Sequence, residues 1–367
     1  MVEPQEYGDH VSPFETMPQR LRAWKNIATS ATMRRVKPSW VPMPHAGHLI
    51  VTFKCNLKCE CCPSWRYKEH NDLTTEEWLH TFSQLKSLDI VKILGGEPLV
   101  RRDIVTLMTG VRDIIDPFML QMTTNGMLTE KSLELVHAVG WPGLQIRISV
   151  DGVEETHDRM RGVKGSWKQV TETVRAIADL KQRYGFKLGI NFAVTDESIS
   201  ELDAMIDFAD SVGADLIPGV NLDPFLIGAI PPEEGGKQKV IMVSDIEAAL
   251  DALHDHRVGL RKQLPGVDKL LSRFLVKDTF RRQLEGKQYQ FTCRELRDLI
   301  YLLPDGSLVR CGLDHKLLGN VKESSIKELW QSPKVVSCRD TVDACPGCYQ
   351  ASVQIMSRLY AGCILDS

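Results

Sequence analysis

The chain has 367 residues and a formal net charge of −3, with 45 basic side chains against 48 acidic ones. That length accommodates one large domain and a smaller one, and the charge balance lacks the basic footprint of a protein that binds a nucleic-acid backbone. No apolar run approaches the ~18 residues of a membrane span, and the polar, acidic start is unlike a signal peptide, so the sequence predicts a cytoplasmic protein acting on small molecules or peptides.

Residues 1–45 read as a leader with one basic helix around Met17–Val36, too short for a core of its own. Over 46–243, short β-rich apolar runs alternate with amphipathic helical stretches, the pattern of a parallel α/β sheet. Strands are expected at His48–Phe53, Ile90–Leu94, Met119–Thr123, Leu144–Val150, Lys187–Val194 and Asp215–Val220. Helices are expected between them at about Thr75–Leu88, Ile104–Ile115, Glu130–Val139, Trp167–Tyr184 and Ile199–Val212. Thr74-Thr75-Glu76-Glu77 and Thr129-Glu130 place cap residues and acids at first turns. Six such units predict a partial (β/α)6 barrel, whose chemistry belongs at the C-terminal ends of its strands. The Pro- and Gly-rich segment Phe225–Val243 is a candidate lid or substrate loop, with a plain surface loop as the alternative. Helical residues 244–287 then bridge to a small C-terminal α+β domain, 288–367.

The ten cysteines divide between two places: Cys55, Cys59, Cys61 and Cys62 lie within eight residues, and Cys293, Cys311, Cys338, Cys345, Cys348 and Cys363 within the last 75. A reducing compartment sustains no structural disulfides, so an intervening gap of 230 residues points to two separate metal sites. CxxxCxxC directly after the first strand offers three thiolates to a cubane that takes four ligands. One iron then stays open to an exchangeable ligand, as a catalytic zinc keeps one position free. Zinc is the alternative, but the spacing is not a zinc finger's and no His lies close enough to complete a closed tetrahedron except His70, eight residues on. Downstream, Asp305-Gly306 between apolar runs signals a hairpin that brings Cys293 and Cys311 toward one end, Ser325–Gln331 reads as an amphipathic helix, and Cys345-Pro346-Gly347-Cys348 adds a CxxC. Two pairs of thiols make a closed four-thiolate site, which spacing alone assigns to zinc as readily as to iron–sulfur.

Further motifs stand at the ends of the expected strands: Gly95-Gly96-Glu97-Pro98 after the second, Thr123-Thr124-Asn125-Gly126 after the third, Ser149-Val150-Asp151-Gly152 with His157-Asp158-Arg159-Met160-Arg161-Gly162 after the fourth, and Ile217 to Pro224 after the sixth. Two glycines let a backbone approach a ligand closely, and a carboxylate at a strand end can pair with an ammonium. With these motifs the chain resembles the radical SAM superfamily. The C-terminal spacing, Gly319 to Trp330 included, is similar to the SPASM/twitch extension.

The resemblance implies S-adenosylmethionine (SAM) and two [4Fe–4S] clusters as cofactors. Cys55, Cys59 and Cys62 would hold the first cluster, and Cys293, Cys311, Cys345 and Cys348 a single auxiliary cluster, since the run of cysteines a full SPASM domain needs is missing after Cys348. It further implies SAM contacts from Gly95, Gly96, Glu97, Thr124, Asn125 and Ser149, from Arg161 at the SAM carboxylate, and from Leu222 at the adenine. Relatives usually carry an aromatic residue before the third cysteine, where this chain has Cys61, a small apolar filler. The implied chemistry is reductive cleavage of SAM, driven by a ferredoxin or flavodoxin, to a 5′-deoxyadenosyl radical that abstracts hydrogen from substrate. Oxidation of a small molecule is the expected outcome, because the x17 spacing of the hairpin cysteines followed by CxxC resembles that of the twitch dehydrogenases, which oxidise an alcohol. Redox-neutral epimerisation, with Cys338 or Cys363 donating hydrogen, is the alternative. Peptide maturation is disfavoured, because Gly312 stands where sulfatase maturases carry an Asp base. A non-catalytic iron–sulfur or zinc scaffold would leave Glu97, Ser149 and Arg161 unexplained.

Overall fold

A computed structural model describes residues 17–37, 39–59, 62, 64–67, 71–195, 197–220, 293–312, 316–345, 357, 360 and 361. The expectations for Cys61, Leu222, Phe225–Val243, the helical bridge 244–287, Cys348 and Cys363 lie outside these described residues. Six parallel strands follow one another across the sheet: β1 (Ala46–Thr52), β2 (Ile90–Gly95), β3 (Met119–Thr124), β4 (Leu144–Ser149), β5 (Lys187–Val194) and β6 (Asp215–Val220). Helices α2 (Thr75–Ser83), α3 (Ile104–Gly110), α4 (Thr129–Val139), α5 (Glu154–Arg161), α6 (Ser166–Ala178), α7 (Lys181–Tyr184) and α8 (Leu202–Ser211) fill the crossovers. This is the α/β fold expected, an open partial barrel. α2 starts on a capping box between Thr74 and Glu77. Two helices depart from the periodicity. α3 widens into a π-helix over Val111–Ile115 that ends on left-handed Asp116 (φ 53°), and the stretch 166–184 breaks between α6 and α7.

Strand alternation sorts the residues between the two faces of the sheet. Leu49, Val51, Val91, Ile93, Leu120, Met122, Ile146, Ile148, Leu188, Ile190 and Phe192 are buried in one core cluster with helix residues such as Trp78, Phe82, Leu107, Val136 and Val174. The opposite, inward face is built in layers fixed by register. Its lowest layer is apolar: Ala46, Ile90 and Leu299 with Met119, Tyr360 and Ile27. The next holds Tyr301, His48, Lys92, Gln121, Gln145 and Lys187, paired in that order across the sheet.

Helix α1 (Met17–Val36) supplies the floor under these layers. Arg22 and Asn26 bind Asp89, just before β2, at 3.1 and 2.8 Å. Gln19 and Arg22 reach Asp116, before β3, at 2.8 and 2.6 Å, and Ser30 donates to Asp298 at 2.7 Å. The leader read from sequence as separate from the barrel therefore closes the N-terminal ends of its strands.

The C-terminal strands extend the same sheet. β7 (Leu299–Leu302) runs parallel to β1, and β8 (Ser307–Val309) and β9 (Leu317–Asn320) return antiparallel, giving the order β6-β5-β4-β3-β2-β1-β7-β8-β9. Helix α9 (Ile326–Gln331) begins on a second capping box, Ser325 with Glu328, and α10 (Pro333–Asp343) follows it. Trp330 Nε1 donates to Pro42 O at 2.7 Å and Ile326 N to Gln84 Oε1 at 2.8 Å, so the extension packs on the leader and on the end of α2.

Candidate active site

The three thiols after β1 lie in a loop whose N–H groups point at sulfur. Leu57 N donates to Cys55 Sγ at 3.4 Å, Asn125 Nδ2 approaches the same sulfur at 3.9 Å, and Arg161 Nη1 approaches Cys59 Sγ at 4.0 Å. As free thiols Cys55 and Cys59 are held in the neutral form, because burial pushes Cys55 up to about 11 and raises Cys59 as well. Metal coordination reverses that balance, since a coordinated thiol is deprotonated outright. No group of three or more His, Cys, Asp or Glu among the described residues converges on a single ion. A cubane spreads its ligands over four irons, and three thiols in one loop, with N–H donors at Cys55 and Cys59, fit that larger group.

The turns expected to meet SAM gather around this loop. A Cβ on Gly95 would stand 2.6 Å from Thr52 O, and one on Gly96 would stand 2.4 Å from both Phe53 O and Lys54 O. Only glycine allows that approach, which lets Gly96 N and Glu97 N donate to Thr52 O and Lys54 O, each at 2.8 Å. Glu97 is fully buried. Its Oε1 accepts from Leu99 N at 3.0 Å and Thr124 Oγ1 at 2.8 Å, and its Oε2 from Asn125 N at 2.6 Å. Burial pushes its carboxyl above the usual range against the pull of these donors. These bonds brace the β3 turn against the start of the 98–100 turn, a task that the expected ammonium contact does not describe. Asn125 in turn donates to Asn56 Oδ1 at 2.8 Å, tying that turn to the cysteine loop.

Ser149 ends β4, half-buried. Beyond it Asp151 joins three elements: its N–H donates to His157 Nδ1 at 3.1 Å, its Oδ1 accepts from Ala193 N at 3.1 Å, and its Oδ2 pairs with Arg161 at 2.6 Å. His157 is buried and held neutral, lowered to about 4 chiefly by desolvation and then by Arg161. Asp158 accepts from Ser166 Oγ at 2.9 Å and Trp167 N at 2.8 Å, which starts α6. Within this motif, then, His157 and Asp158 are structural, and Arg161 is the cation carried to the cysteine loop. Gly162 caps α5 at φ 71°, where a Cβ would lie 3.3 Å from Lys58 O of that loop.

At the second cysteine group, Cys311 follows β8 and Cys293 precedes the turn into β7, packed against the cluster of Ala46, Ile90, Leu299 and Tyr360, both half-buried. Cys345 follows α10 and is exposed. A Cβ on Gly312 would lie 2.7 Å from the Tyr301 ring. Cys338, the candidate hydrogen donor, is 3% exposed and packs in the main apolar core, the surroundings of a filler side chain. Glu295 is buried with neither oxygen hydrogen-bonded among the described residues, and burial pushes its carboxyl up to about 8. Sequence reading missed Asp151, Asn56 and the polar inward layer. The signal for that layer was present: a Lys, Gln or Arg at alternate positions of strands that, buried on both faces, should read as continuous apolar runs.

Comparison with known proteins agrees with this geometry. Residues 49–209 match the radical SAM superfamily and residues 293–349 an iron–sulfur cluster-binding domain of the SPASM type. The AdoMet-dependent heme synthase of Methanosarcina barkeri (strain Fusaro / DSM 804) is 24% identical over 312 residues, 80% of this chain and 85% of that protein. The pre-heme d1 synthase of Dinoroseobacter shibae (strain DSM 16493 / NCIMB 14021 / DFL 12) is 29% identical over 169 residues, 45% of this chain and 40% of the other. Among solved structures, Streptococcus suis SuiB bound to S-adenosylmethionine superposes with a TM-score of 0.60 at 17% identity, over 85% of this chain and 71% of that one. The native anSMEcpe with bound AdoMet gives 0.54 at 19% identity, over 80% and 82%; these two likenesses concern the fold. With the barrel, the strand-end turns and the C-terminal extension all accounted for, the chain is a radical SAM enzyme and belongs to the radical SAM superfamily, with an iron–sulfur domain of the SPASM/twitch kind at its C-terminal end.

Proposed function

We propose that the chain oxidises a small-molecule substrate, with a SAM-cleaving cluster held by Cys55, Cys59 and Cys62 and one auxiliary cluster held by Cys293, Cys311, Cys345 and Cys348. When bound, cluster and SAM supply the one-electron chemistry that removes a hydrogen atom from substrate. This chain's residues do the positioning. Gly95 and Gly96 hold the β2 end against the cysteine loop, Glu97 fixes the turn that presents Asn125, and Asp151 orients Arg161 toward a ligand carboxylate. The observation that carries the reading is the convergence of the β2, β3 and β4 turns on the cysteine loop, through Glu97 N to Lys54 O, Asn125 to Cys55 and Arg161 to Cys59. A small-molecule substrate is supported by both curated relatives, which are named as heme and pre-heme d1 synthases; a heme-type compound is the substrate class we assign. Oxidation is supported by the surroundings of Cys338, packed in apolar core.

Anaerobically reconstituted protein is expected to hold about eight irons per chain, two cubanes of four, and to release 5′-deoxyadenosine with SAM and dithionite or a flavodoxin system. Replacing Cys55, Cys59 and Cys62 together by Ala should leave about four irons and no cleavage. Cys338→Ala should keep product formation, and product formed in heavy water should carry no deuterium at carbon. Deuterium at carbon, lost with activity in Cys338→Ala, would replace oxidation by epimerisation.

A further inference from the structure

A barrel interior is ordinarily filled by branched apolar side chains, yet here the layer above the floor is polar. His48, Lys92 and Gln121 are 1%, 8% and 3% exposed and stand side by side in register on β1, β2 and β3. Their strand neighbours Leu49, Val91, Ile93, Leu120 and Met122 face the helices, so these three face inward. Two residues on from Gln145, in the same layer on β4, Arg147 also faces in, and it is in register through Gly189 with Asp215 on β6.

Elsewhere buried or nearly buried cations have partners: Arg101 with Asp103 at 2.7 Å, Arg161 with Asp151 at 2.6 Å, Arg294 with Asp298, and Arg339 with the carbonyls of Leu296 and Trp330 at 2.7 and 2.6 Å. Lys92 makes no hydrogen bond or ion pair among the described residues, although an unpaired buried ammonium costs several kcal/mol. Both ring nitrogens of His48 and Oε1 of Gln121 also lack partners among the described residues. Electrostatics fit the geometry. Burial, then repulsion from Arg147, lowers Lys92 to about 7, while Asp215 offsets part of the burial of Arg147. Among the described residues Lys92 and Arg147 thus face one interior in which Asp215 acts on Arg147, with acceptors and donors to spare beside Lys92.

We infer that Lys92 and Arg147, flanked by His48 and Gln121, form an anion site inside the barrel that anchors a carboxylate of the substrate beneath the SAM-level turns. The site rests on the proposed small-molecule reading and narrows it to an acid. From Lys92 to the Gly96 turn is four residues, about 13 Å at ~3.3 Å per residue. After the reach of the Lys92 side chain is allowed for, the carboxylate and the reacting carbon stand well apart, as the edge substituents of a macrocycle do. An unpartnered cation kept for a ligand destabilises the free protein, so stability does not account for its retention.

The test uses reconstituted holoprotein and two probes: deuteroporphyrin, a diacid followed by its fluorescence, against its dimethyl ester, and succinate followed by thermal shift. Wild type should bind the diacid at least tenfold tighter than the ester. Lys92→Met and Arg147→Leu should each remove most of that preference, exposed Lys168→Met should keep it, and Lys92→Met should melt no lower than wild type without probe. Succinate protection that is lost in Lys92→Met, with no porphyrin bound by any variant, would uphold the anion site and discard the heme-type substrate. Diacid and ester binding alike, neither probe binding wild type, or a lower melting temperature for Lys92→Met with unchanged probe affinity, would each overturn the inference.

Discussion

Glu97→Gln separates a brace from a ligand contact. The Glu97 carboxylate takes Leu99 N and Thr124 Oγ1 on one oxygen and Asn125 N on the other, at 3.0, 2.8 and 2.6 Å. An amide has one acceptor oxygen, so whichever way Gln turns, its NH2 meets a backbone N–H: Asn125 N in one orientation, Leu99 N in the other. Thr124 can reverse its hydroxyl; the backbone cannot. Losing a hydrogen bond to a charged acceptor costs about 1.5–3 kcal/mol and stranding the buried donor about 1–3. Relief from burying a carboxylate, which pushes the Glu97 carboxyl upward, offsets part, leaving a loss of about 3 kcal/mol. Unfolding entropy of about 2.1 cal/mol/K per residue makes about 0.8 kcal/mol/K for 367 residues, so the melting temperature should fall by about 4 °C. Anaerobic calorimetry of holoprotein without SAM reads this directly. A melting temperature within about 1 °C of wild type, with SAM affinity down tenfold, would refute the brace and give Glu97 to the ligand.

Trp78→Ala empties a fully buried site in α2 beside Phe82, whose ring lies 5.6 Å away; it should cost about 3–5 kcal/mol in denaturant unfolding, and a loss under about 1 kcal/mol would mean the helix layer collapses around the void. His157 accepts from Asp151 N and is lowered to about 4 from 6.5, so the unfolded chain binds its proton first as pH falls. The stability His157 contributes is therefore intact above pH 6.5 and declines by about 3 kcal/mol on the way to pH 4. His157→Asn, which keeps an acceptor and cannot titrate, should flatten that part of the stability–pH curve, and equal slopes in the two proteins would sink the assignment.

Much of the fold was legible because the helix-facing side of each strand carries its signal in apolar alternation, and all six barrel strands fall within two residues of their expected bounds. The helix 104–115 was harder: nothing in Ile104–Ile115 distinguishes α from π hydrogen bonding, and the left-handed stop at Asp116 depends on the tertiary bonds that Gln19 and Arg22 make to it. The role of α1 was invisible for the same reason. Its Arg22 and Ser30 find Asp89, Asp116 and Asp298 only once three strand starts are brought together. At the site, the motif residues could be named from spacing, but the bracing bonds of Glu97 could not, because a fully buried carboxylate must satisfy its oxygens locally, and no motif records that.

The two faces of one strand thus answer to different demands. On β2, Val91 and Ile93 pack outward in the core while Lys92 faces the interior, and a one-residue slip in register would exchange them. The slip would put the ammonium among Trp78, Leu107 and their neighbours, where nothing could pair it. The interior charges therefore also guard the register: only one alignment keeps Lys92 and Gln121 out of the apolar core and Gly95-Gly96 against the cysteine loop. What reads as a defect in the apolar pattern of the sheet holds the strand ends, and the residues that gather there, at their required heights.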